Sequence, residues 1–391
     1  MKALNQSSFV VIPYKHKLLK LTNLKSGKIY YKDFYLDLVT NKRTAYSVND
    51  WLHSLSDRIN TYYNYPRIIH LFYELGFLIE SVNRQLISEE TILAIDLCFE
   101  DINDYQIKSH QPLGLTKIKE PHLQDYIKRF KQGYDHLLKG DCYQFNLTEE
   151  FQFGFGHKIY AEDFINQLWM KASKRGAFGS ATYIPQLEKL FLSNSPECLF
   201  QIKGNELYTM PIKGTIVCEA DQDIADKWQE LIADKKCESE LYMIADLMRN
   251  DLSRIELPIS EVVEKKKMLR VPKLLHQYTE IKVQLSDQVT IEKIIKNIFP
   301  GGSVTGAPKK RVMEILGEIE NHQRGFYCGS TIILMKEMKA ASINIRSATI
   351  DFNKYRLSYK AGGGITLKSD SNLEFEELSY KQKSFIELLT P

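Results

Sequence analysis

The chain has no apolar stretch that approaches the about 18–20 residues of a membrane span. The apolar run near its N-terminus, Phe9 to Ile12, is shorter than the roughly 7–15 residues of a signal-peptide core. We therefore expect a cytoplasmic protein with no membrane partner. The six cysteines are scattered and include no Cys-x-x-Cys pair. This spacing favours reduced thiols over a disulfide framework or a zinc site.

A strong excess of charge of one sign is also missing. Lys and Arg total 52 against 49 Asp and Glu, which gives a formal net charge of +3. Nucleic-acid-binding domains usually carry a clustered basic patch, and the short run Lys265–Lys267 is better explained as a solvated face. We therefore expect no nucleic-acid partner.

A regular alternation of strands and helices, the pattern of a doubly wound fold, is absent as well. Apolar periodicity predicts helices at Val48–Tyr63, Pro66–Val82, Gln124–Lys139, Cys237–Asp251, Ile291–Ile298, Lys309–Glu320 and Phe375–Leu389. β-prone runs predict strands at Tyr143–Leu147, Gln152–Phe155, Cys198–Ile202, Glu206–Met210, Gly329–Leu334, Ala341–Ile345, Ala348–Phe352 and Arg356–Tyr359, and a loop is predicted at His110–Pro121. Strand clusters mixed with helices favour an α+β fold, and 391 residues are ample for a large core.

Six segments carry residue types suited to chemistry. They are Gly140–Thr148, Ser193–Glu197, Pro211–Thr215, Glu240–Asp251, Phe299–Lys309 and Ala361–Glu377. In the last segment and just after it, Glu374, Glu377 and Lys381 share one face of a predicted helix. The three glycines upstream allow close approach of a backbone to an anion. Both a magnesium site beside a carboxylate substrate and a solvated acidic helix are open interpretations.

Two further segments hold candidate catalytic side chains, each with an ordinary structural alternative. Lys213 ends a β-prone run, where a lysine is usually solvated, but an amine in a partly apolar pocket can act as a nucleophile. Glu197 is a loop carboxylate or, in a cleft, a general acid. His276, taken alone, is best explained as a half-buried structural histidine.

The glycine-rich segment Phe299–Lys309 opens a predicted helix at about Pro308, where free N–H groups can bind an anion. It lacks the Gly-Lys-Ser/Thr sequence of a nucleotide P-loop. A carboxylate site and a structural glycine-rich turn both remain open for this segment.

Together, the order and spacing of the segments resemble the chorismate-utilising enzymes, which include anthranilate, aminodeoxychorismate, isochorismate and salicylate synthases. The most specific matches are Phe-Pro-Gly-Gly-Ser-Val-Thr-Gly-Ala-Pro-Lys at 299–309 and Asp-Leu-Met-Arg-Asn-Asp at 246–251. The resemblance covers residues 120–391, implied to be the chorismate-binding catalytic domain, and leaves residues 1–115 as an N-terminal region packed on that core. It implies two large antiparallel β-sheets packed face to face, with flanking helices.

The resemblance also implies a role for each site residue. Glu240 and Glu377 would bind Mg²⁺, with Glu374 helping through water, and the metal would hold the ring carboxylate of chorismate. Glu197 would protonate the departing C4 hydroxyl, with His276 near that end of the ring. The other carboxylate and the rest of the pocket would be contacted by Ser303, Tyr327, Arg346, Gly362, Gly363, Gly364 and Lys381.

Two positions distinguish the members of the family. Isochorismate and salicylate synthases carry a water-activating Lys at the position of Gln144, so their chemistry is disfavoured here. The sequence Pro-Ile-Lys-Gly-Thr around Lys213 is typical of aminodeoxychorismate synthases, whereas anthranilate synthases usually have Ala there. The resemblance therefore implies amination of chorismate to 4-amino-4-deoxychorismate, for para-aminobenzoate and folate synthesis. Ammonia would come from a separate glutamine amidotransferase, because no cysteine here has the glycine-flanked context of its nucleophile.

The departures from the family pattern concern the metal. Cys237 stands where an acidic residue is usual three positions before Glu240, and Glu238 lies about 100° round the helix from that position. Anthranilate synthase component I is the alternative within the family, although its Leu-Leu-Glu-Ser motif has no clear counterpart here. A non-catalytic chorismate-binding protein that has lost metal affinity is the alternative from another class.

Overall fold

A computed structural model describes residues 7–108, 110–218, 223–256, 260–271 and 274–390. The strands are β1 (Phe9–Tyr14), β2 (Lys17–Tyr30), β3 (Phe34–Asp37), β4 (Arg43–Ala45), β5 (Arg67–Leu71), β6 (Ala94–Tyr105), β7 (Thr116–Lys119), β8 (Gln144–Gly154), β9 (Ser180–Ile184), β10 (Lys189–Ser193), β11 (Cys198–Lys203), β12 (Glu206–Met210), β13 (Ile212–Val217), β14 (Glu261–Val271), β15 (Leu274–Gln284), β16 (Gly306–Ala307), β17 (Ser330–Met335), β18 (Met338–Ile343), β19 (Ser347–Asp351) and β20 (Arg356–Ile365). The helices are α1 (Val48–Ser54), α2 (Leu75–Ile79), α3 (Leu123–Leu138), α4 (Ala161–Trp169), α5 (Ile224–Ala233), α6 (Lys235–Ser253), α7 (Ile291–Ile298), α8 (Gly302–Thr305), α9 (Lys309–Ile319) and α10 (Ser371–Ile386). None of these helices is long and apolar enough to cross a membrane.

The strands form two antiparallel sheets that are joined through β2. Sheet I contains, in spatial order, β7, β8, β20, β19, β10, β9 and β1. Sheet II contains β6, β5, β17, β18, β11, β12 and β15, with β13 and β14 also paired to β15. The long strand β2 pairs with β1 of sheet I and with β6 of sheet II. This arrangement of antiparallel strands and helices confirms the predicted α+β class.

The two sheets pack face to face through a shared apolar layer. Its buried side chains come from both sheets: Val10, Ile12, Ile184 and Phe191 of sheet I, and Ile68, Ile95, Leu97, Ile333 and Met335 of sheet II. A polar bridge crosses the same layer, where His70 lies 2.9 Å from Thr331 Oγ1 and 2.8 Å from Thr182 Oγ1. Burial lowers the pKa of His70 to about 3, so its ring is neutral at ordinary pH. The predicted pair of facing sheets is therefore confirmed.

Helices cover the sides of the sheets that face away from this layer. Side chains of α3, α4, α9 and α10 share a core with sheet I, and those of α1, α6 and α7 share one with sheet II. In α7 the buried positions recur at helical spacing: Ile291, Ile294, Ile295 and Ile298. Burying each isoleucine contributes about 1.5–3 kcal/mol. The side chain of Thr290 caps the helix by accepting a backbone N–H, which adds about 1 kcal/mol.

Several sequence-based element predictions need correction. The predicted helix Pro66–Val82 is wrong in its first half, which forms β5 before the short helix α2. The run of apolar residues there is compatible with a helix and also with a strand that is buried on both faces. Hydrogen bonding to β17 and β6 stabilises the strand. The predicted helix Val48–Tyr63 ends at Ser54. The predicted loop His110–Pro121 contains β7, and the two strands predicted at 143–155 are the single strand β8.

Strands from the first 115 residues are part of the same two sheets as later strands. β1 pairs with β9, and β5 pairs with β17. The division into an N-terminal region and a catalytic domain from residue 120 stays a prediction about function.

Candidate active site

A cavity of about 540 Å³ has walls from both sheets. Strand β20 of sheet I, strands β13 and β15 of sheet II, and helices α6, α8 and α10 all contribute to its lining. The site residues singled out from the sequence all line it: Glu197, Lys213, Glu240, His276, Ser303, Tyr327, Arg346, Gly362, Gly363, Gly364, Glu374, Glu377 and Lys381. Side chains that are far apart in the sequence therefore share one cavity.

Glu197 lies in the short connection between β10 and β11. Its N–H donates to Ser195 Oγ at 3.1 Å, and its carbonyl oxygen accepts from the Ile343 N–H at 3.0 Å. Burial raises the pKa of the Glu197 carboxyl, and Ser303 and Lys213 offset part of this effect. A carboxyl with a raised pKa keeps its proton to higher pH, which suits a general acid.

Lys213 is half-buried on β13, and the missing side chain at Gly364 makes room for it. A Cβ atom at Gly364 would lie 3.3 Å from Lys213 Nζ and 2.5 Å from Gln144 Nε2. The Gln144 side chain is buried, and neither of its amide atoms has a hydrogen-bond partner in the described part of the chain. An amine and an amide therefore approach the same point beside β20. Buried amides normally have partners, so this point is suited to polar groups of a ligand.

Carboxylates from two helices contribute an acidic section of the wall. On α10, Glu374 is buried, and Glu377 Oε1 lies 2.7 Å from Lys381 Nζ. Glu240 reaches the cavity from α6. Within the described ranges, no three His, Cys, Asp or Glu side chains form a preassembled metal cluster. A cation at this wall would share its coordination with substrate and water oxygens, as Mg²⁺ commonly does.

The three consecutive glycines are part of strand β20. Gly362, Gly363 and Gly364 pair with Thr148, Leu147 and Asn146 of β8. A Cβ atom at Gly363 would lie 3.0 Å from Glu374 Oε2, so the glycine allows α10 to approach the strand. The backbone of β20 is therefore held in place by β8 while its glycines leave space in the cavity.

Helix α6 adds a cavity residue that sequence reasoning missed. Asp234 directly precedes the helix, and its Oδ1 accepts the Cys237 N–H at 3.1 Å. Asp234, Cys237 and Glu240 are spaced by three residues and all line the cavity. An Asp shortly before a predicted helix is a common signal of a helix N-terminus, and this signal could have identified Asp234. Glu238, the neighbouring acidic residue, lies 2.8 Å from Lys266.

Three other polar side chains of the wall differ in charge. Burial lowers the pKa of His276 to about 4, helped by Arg346 and opposed by a hydrogen bond to the Gly214 backbone. Burial raises the pKa of Tyr327, so its hydroxyl stays protonated. Arg346 donates to Ser384 Oγ at 3.3 Å. The wall thus offers a neutral imidazole, a phenol and a guanidinium, and the last two are suitable donors to a carboxylate.

The two most distinctive motifs meet in a buried ion pair. Lys309 Nζ lies 2.7 Å from Asp251 Oδ2, and their side chains are only 6% and 3% exposed. Removing one partner of such a pair costs about 3–5 kcal/mol because the other charge stays buried. The glycine-rich segment is therefore structural at Lys309, where it joins α9 to α6. Its contribution to the cavity comes earlier, from Ser303 in α8.

His276→Asn is expected to make the fold less sensitive to acid. The folded-state pKa of His276 is about 4 against an ordinary 6.5, so between these values the unfolded chain binds a proton that the folded chain does not. This contribution to stability is complete above the higher value and is lost as the pH falls toward the lower one. Denaturant midpoints at about pH 7 and about pH 5 should differ less in the variant than in the wild type. Equal differences would contradict a buried, neutral His276.

Comparison with known proteins identifies the family and agrees with the fold. A family model described as chorismate binding enzyme matches residues 73–387. Aminodeoxychorismate synthase component 1 of Salmonella typhimurium is 32% identical over 309 residues, covering 77% of this chain and 65% of the relative. Its namesake from Escherichia coli is 32% identical over 283 residues, covering 71% of this chain and 59% of the relative. The matched part of this chain thus spans less than two thirds of either relative.

A solved structure extends the likeness to nearly the whole chain. The crystal structure of anthranilate synthase component I from Streptococcus pneumoniae matches with a TM-score of 0.76 at 19% identity, covering 98% of this chain and 93% of that one. At this identity the match concerns the fold. The family resemblance seen in the sequence is confirmed by the family model, which spans most of the chain: this protein belongs to the chorismate binding enzymes.

Proposed function

We propose that this chain is a component 1 of aminodeoxychorismate synthase, which converts chorismate and ammonia to 4-amino-4-deoxychorismate. The observation that carries the proposal is the presence of Lys213 and the buried Glu197 in one cavity, close enough for Lys213 to affect the Glu197 pKa. A nucleophilic amine and a proton donor are the two groups that this substitution needs. The names of the two relatives support the same member of the family.

In the proposed reaction the amine of Lys213 attacks C2 of chorismate. The two conjugated ring double bonds shift, the C4–O bond breaks, and Glu197 delivers its proton so that water leaves; the proton released by the lysine nitrogen then returns to Glu197. Ammonia next attacks C4, the two double bonds shift back, and the C2–N bond to Lys213 breaks. The proton lost by the entering nitrogen balances the one that the departing lysine amine takes up. Burial suits Glu197 to this role because it raises the pKa of the carboxyl.

We assign the two carboxylates of chorismate to different parts of the wall. Arg346, Tyr327 and the glycine backbone of β20 would bind one of them through charge-assisted hydrogen bonds. Mg²⁺ would be held by Glu240 and Glu377, with Glu374 helping through water, and would neutralise the charge of the ring carboxylate. The donor set fits, since it is made of carboxylate oxygens beside space that the glycines leave open. Ser303 and Lys381 would complete the pocket.

Anthranilate synthase component I is the second candidate, because it would use the same cavity and the same metal. It differs in adding ammonia directly at C2, which requires no lysine nucleophile. A non-catalytic chorismate-binding protein is a third possibility, supported only by Cys237. Identifying the product by mass after incubation with chorismate, Mg²⁺ and ammonium separates the three.

The isolated chain is expected to use ammonium but not glutamine. The reason is that the proposed partner, a separate glutamine amidotransferase of the same cytoplasm, would supply the ammonia. Product formation should increase with pH above neutrality, because more of the ammonium is then present as NH₃. The measurement is the rate of formation of 4-amino-4-deoxychorismate with each nitrogen source. Turnover of glutamine by the purified chain alone would contradict the proposed partner.

Cys237→Asp is expected to tighten the binding of Mg²⁺. Cys237 lines the cavity one helical turn before Glu240, so an aspartate there would add a carboxylate on the same face of α6. Changes of metal ligands and of their neighbours commonly alter affinity by about 10–100-fold. The measurement is the Mg²⁺ concentration that half-saturates chorismate binding. An unchanged requirement would mean that Asp234 or water already supplies the missing oxygen.

A further inference from the structure

A second cavity, of about 360 Å³, lies between residues 73–86 and residues 316–324. Its wall includes the aromatic rings of Tyr73 and Phe77 and three charged side chains, Glu74, Glu320 and Arg324. None of its lining residues has a role in the proposed reaction. Its ligand must therefore be inferred from its own charges and hydrogen bonds.

The opposite charges of Arg324 and Glu320 neutralise each other. Arg324 is 1% exposed and pairs with Glu320 at 2.7 Å and 2.8 Å, once to each carboxylate oxygen. Thr148 also donates to Glu320 through its N–H and its hydroxyl. Burial is the largest cause that lowers the pKa of His322 to about 4, so this histidine adds no positive charge near neutral pH.

Glu74 has no such ion-pair partner, although the charge of Lys360 acts on it from a greater distance. It is 1% exposed, and each of its carboxylate oxygens accepts the Gly325 N–H at 3.1 Å. In the described residues, no lysine, arginine or histidine lies within ion-pair distance of it. Burial raises the pKa of the Glu74 carboxyl, and the Gly325 N–H and Lys360 offset part of this effect. A positively charged ligand would stabilise the ionised carboxylate further, so the site favours such a ligand.

Tyr73 gives this position the other features of a small-cation site. Its side chain is 2% exposed, and its hydroxyl has no hydrogen-bond partner among the described residues. The rings of Tyr73 and Phe77 meet edge to face at 5.7 Å, and the Arg324 guanidinium lies 4.5 Å from the Tyr73 ring. Aromatic faces and a carboxylate together attract ammonium-type cations, and the free hydroxyl can accept one of their N–H groups.

The second cavity adjoins the first one. Arg324 lines the second cavity and donates to the carbonyl oxygens of Val304, at 2.7 Å, and Asn146. Val304 and Asn146 both line the chorismate cavity. A single buried side chain therefore contacts the walls of both cavities.

We propose that the second cavity binds an ammonium ion through the Glu74 carboxylate and the Tyr73 side chain. Its position beside the first cavity makes it a site where the nitrogen donor is concentrated before it reacts. The binding of ammonium stands on the geometry of this cavity, and its use as nitrogen donor rests on the proposed function.

Binding is tested without chorismate, from the thermal unfolding midpoint at constant ionic strength as ammonium chloride replaces sodium chloride. A ligand that binds only the folded chain raises its stability, and above its Kd the increase follows the logarithm of the ligand concentration. The wild type and the exposed control Glu120→Gln should show this rise, and Glu74→Gln should not. Glu74→Gln keeps an oxygen that can accept the Gly325 N–H while removing the charge. An equal rise in Glu74→Gln, or an equal rise with potassium chloride, would overturn the proposal.

Steady-state kinetics test whether the bound ammonium serves as the nitrogen donor. In Glu74→Gln the KM for ammonium is expected to rise about tenfold, equivalent to about 1.4 kcal/mol, with little change in kcat or in the KM for chorismate. A fall in kcat with an unchanged KM for ammonium would overturn the donor role. If Glu74→Gln does not fold, Tyr73→Phe keeps the ring and should give a smaller rise in the same KM. If the wild type forms no aminated product, the proposed function fails, and the thermal titration still decides whether ammonium binds.

Discussion

Lys213→Ala is expected to lose 4-amino-4-deoxychorismate formation by at least about a hundredfold, a loss of about 2.7 kcal/mol of transition-state stabilisation. The lysine would form the first covalent bond in the proposed reaction, and its Nζ lies 3.3 Å from where a Cβ atom at Gly364 would be. Without ammonia the wild type should accumulate chorismate on this side chain. Intact-mass analysis should show a protein heavier by chorismate minus water, and peptide mapping should assign the added mass to Lys213.

The control for this variant is Lys203→Ala, which removes an exposed lysine at the end of β11 outside the cavity lining. It should retain both the adduct and the activity. Anthranilate as the main product of the wild type, or full activity of Lys213→Ala, would leave Lys213 without a role. The function would then be that of an anthranilate synthase component I.

Glu377→Gln is expected to abolish turnover while the protein remains folded. The Glu377 side chain is 55% exposed, and its ion pair with Lys381 contributes at most about 1 kcal/mol to stability at such exposure. Its proposed role is to bind Mg²⁺ opposite the ring carboxylate, so the loss should appear in Mg²⁺-dependent chorismate binding and in kcat. The thermal unfolding midpoint should change little.

The matched control is Glu376→Gln, one position earlier on α10. Glu376 is exposed and does not line the cavity, so this variant should keep its Mg²⁺ dependence and its turnover. Full activity of the wild type in excess chelator would remove the metal from the proposed reaction. A Glu377→Gln protein with normal turnover would remove only Glu377 from the metal site.

The residues that line the cavity could be predicted from the sequence, because the chemical type of each motif residue is visible in the sequence itself. Glu197, Lys213 and Glu377 were selected by residue type and by family resemblance, and all three line the cavity. Distances could not be anticipated. That Lys213 and Gln144 approach the same point beside Gly364, or that Glu238 pairs with Lys266, depends on how distant segments pack.

The fold was predictable where local signals agreed and failed where pairing decided. The predicted bounds of the helix Ile291–Ile298 match the observed ones, because its apolar spacing indicates a helix and the Thr290 cap seen in the structure fixes its start. In Arg67–Leu71 the apolar run suits a helix or a buried strand, and neighbours from β6 and β17 select the strand. Gly362–Gly364 likewise extend in β20 because β8 pairs with them.

The pairing of early strands with late ones also constrains how the protein is made. β1 can pair with β9 only after residue 184 has been synthesised, whereas β5 and β8 pair with β17 and β20, which are made when most of the 391 residues have been synthesised. Folds built on such distant pairings form slowly, and strands with open edges can associate with other chains meanwhile. Helix α10, which carries Glu374 and Glu377, follows all of these strands in the sequence. A nascent chain that stalls before β17 therefore has unpaired strand edges, and one that stalls before α10 lacks two of the proposed metal-binding carboxylates. Translation speed and chaperone supply should therefore limit the yield of active protein.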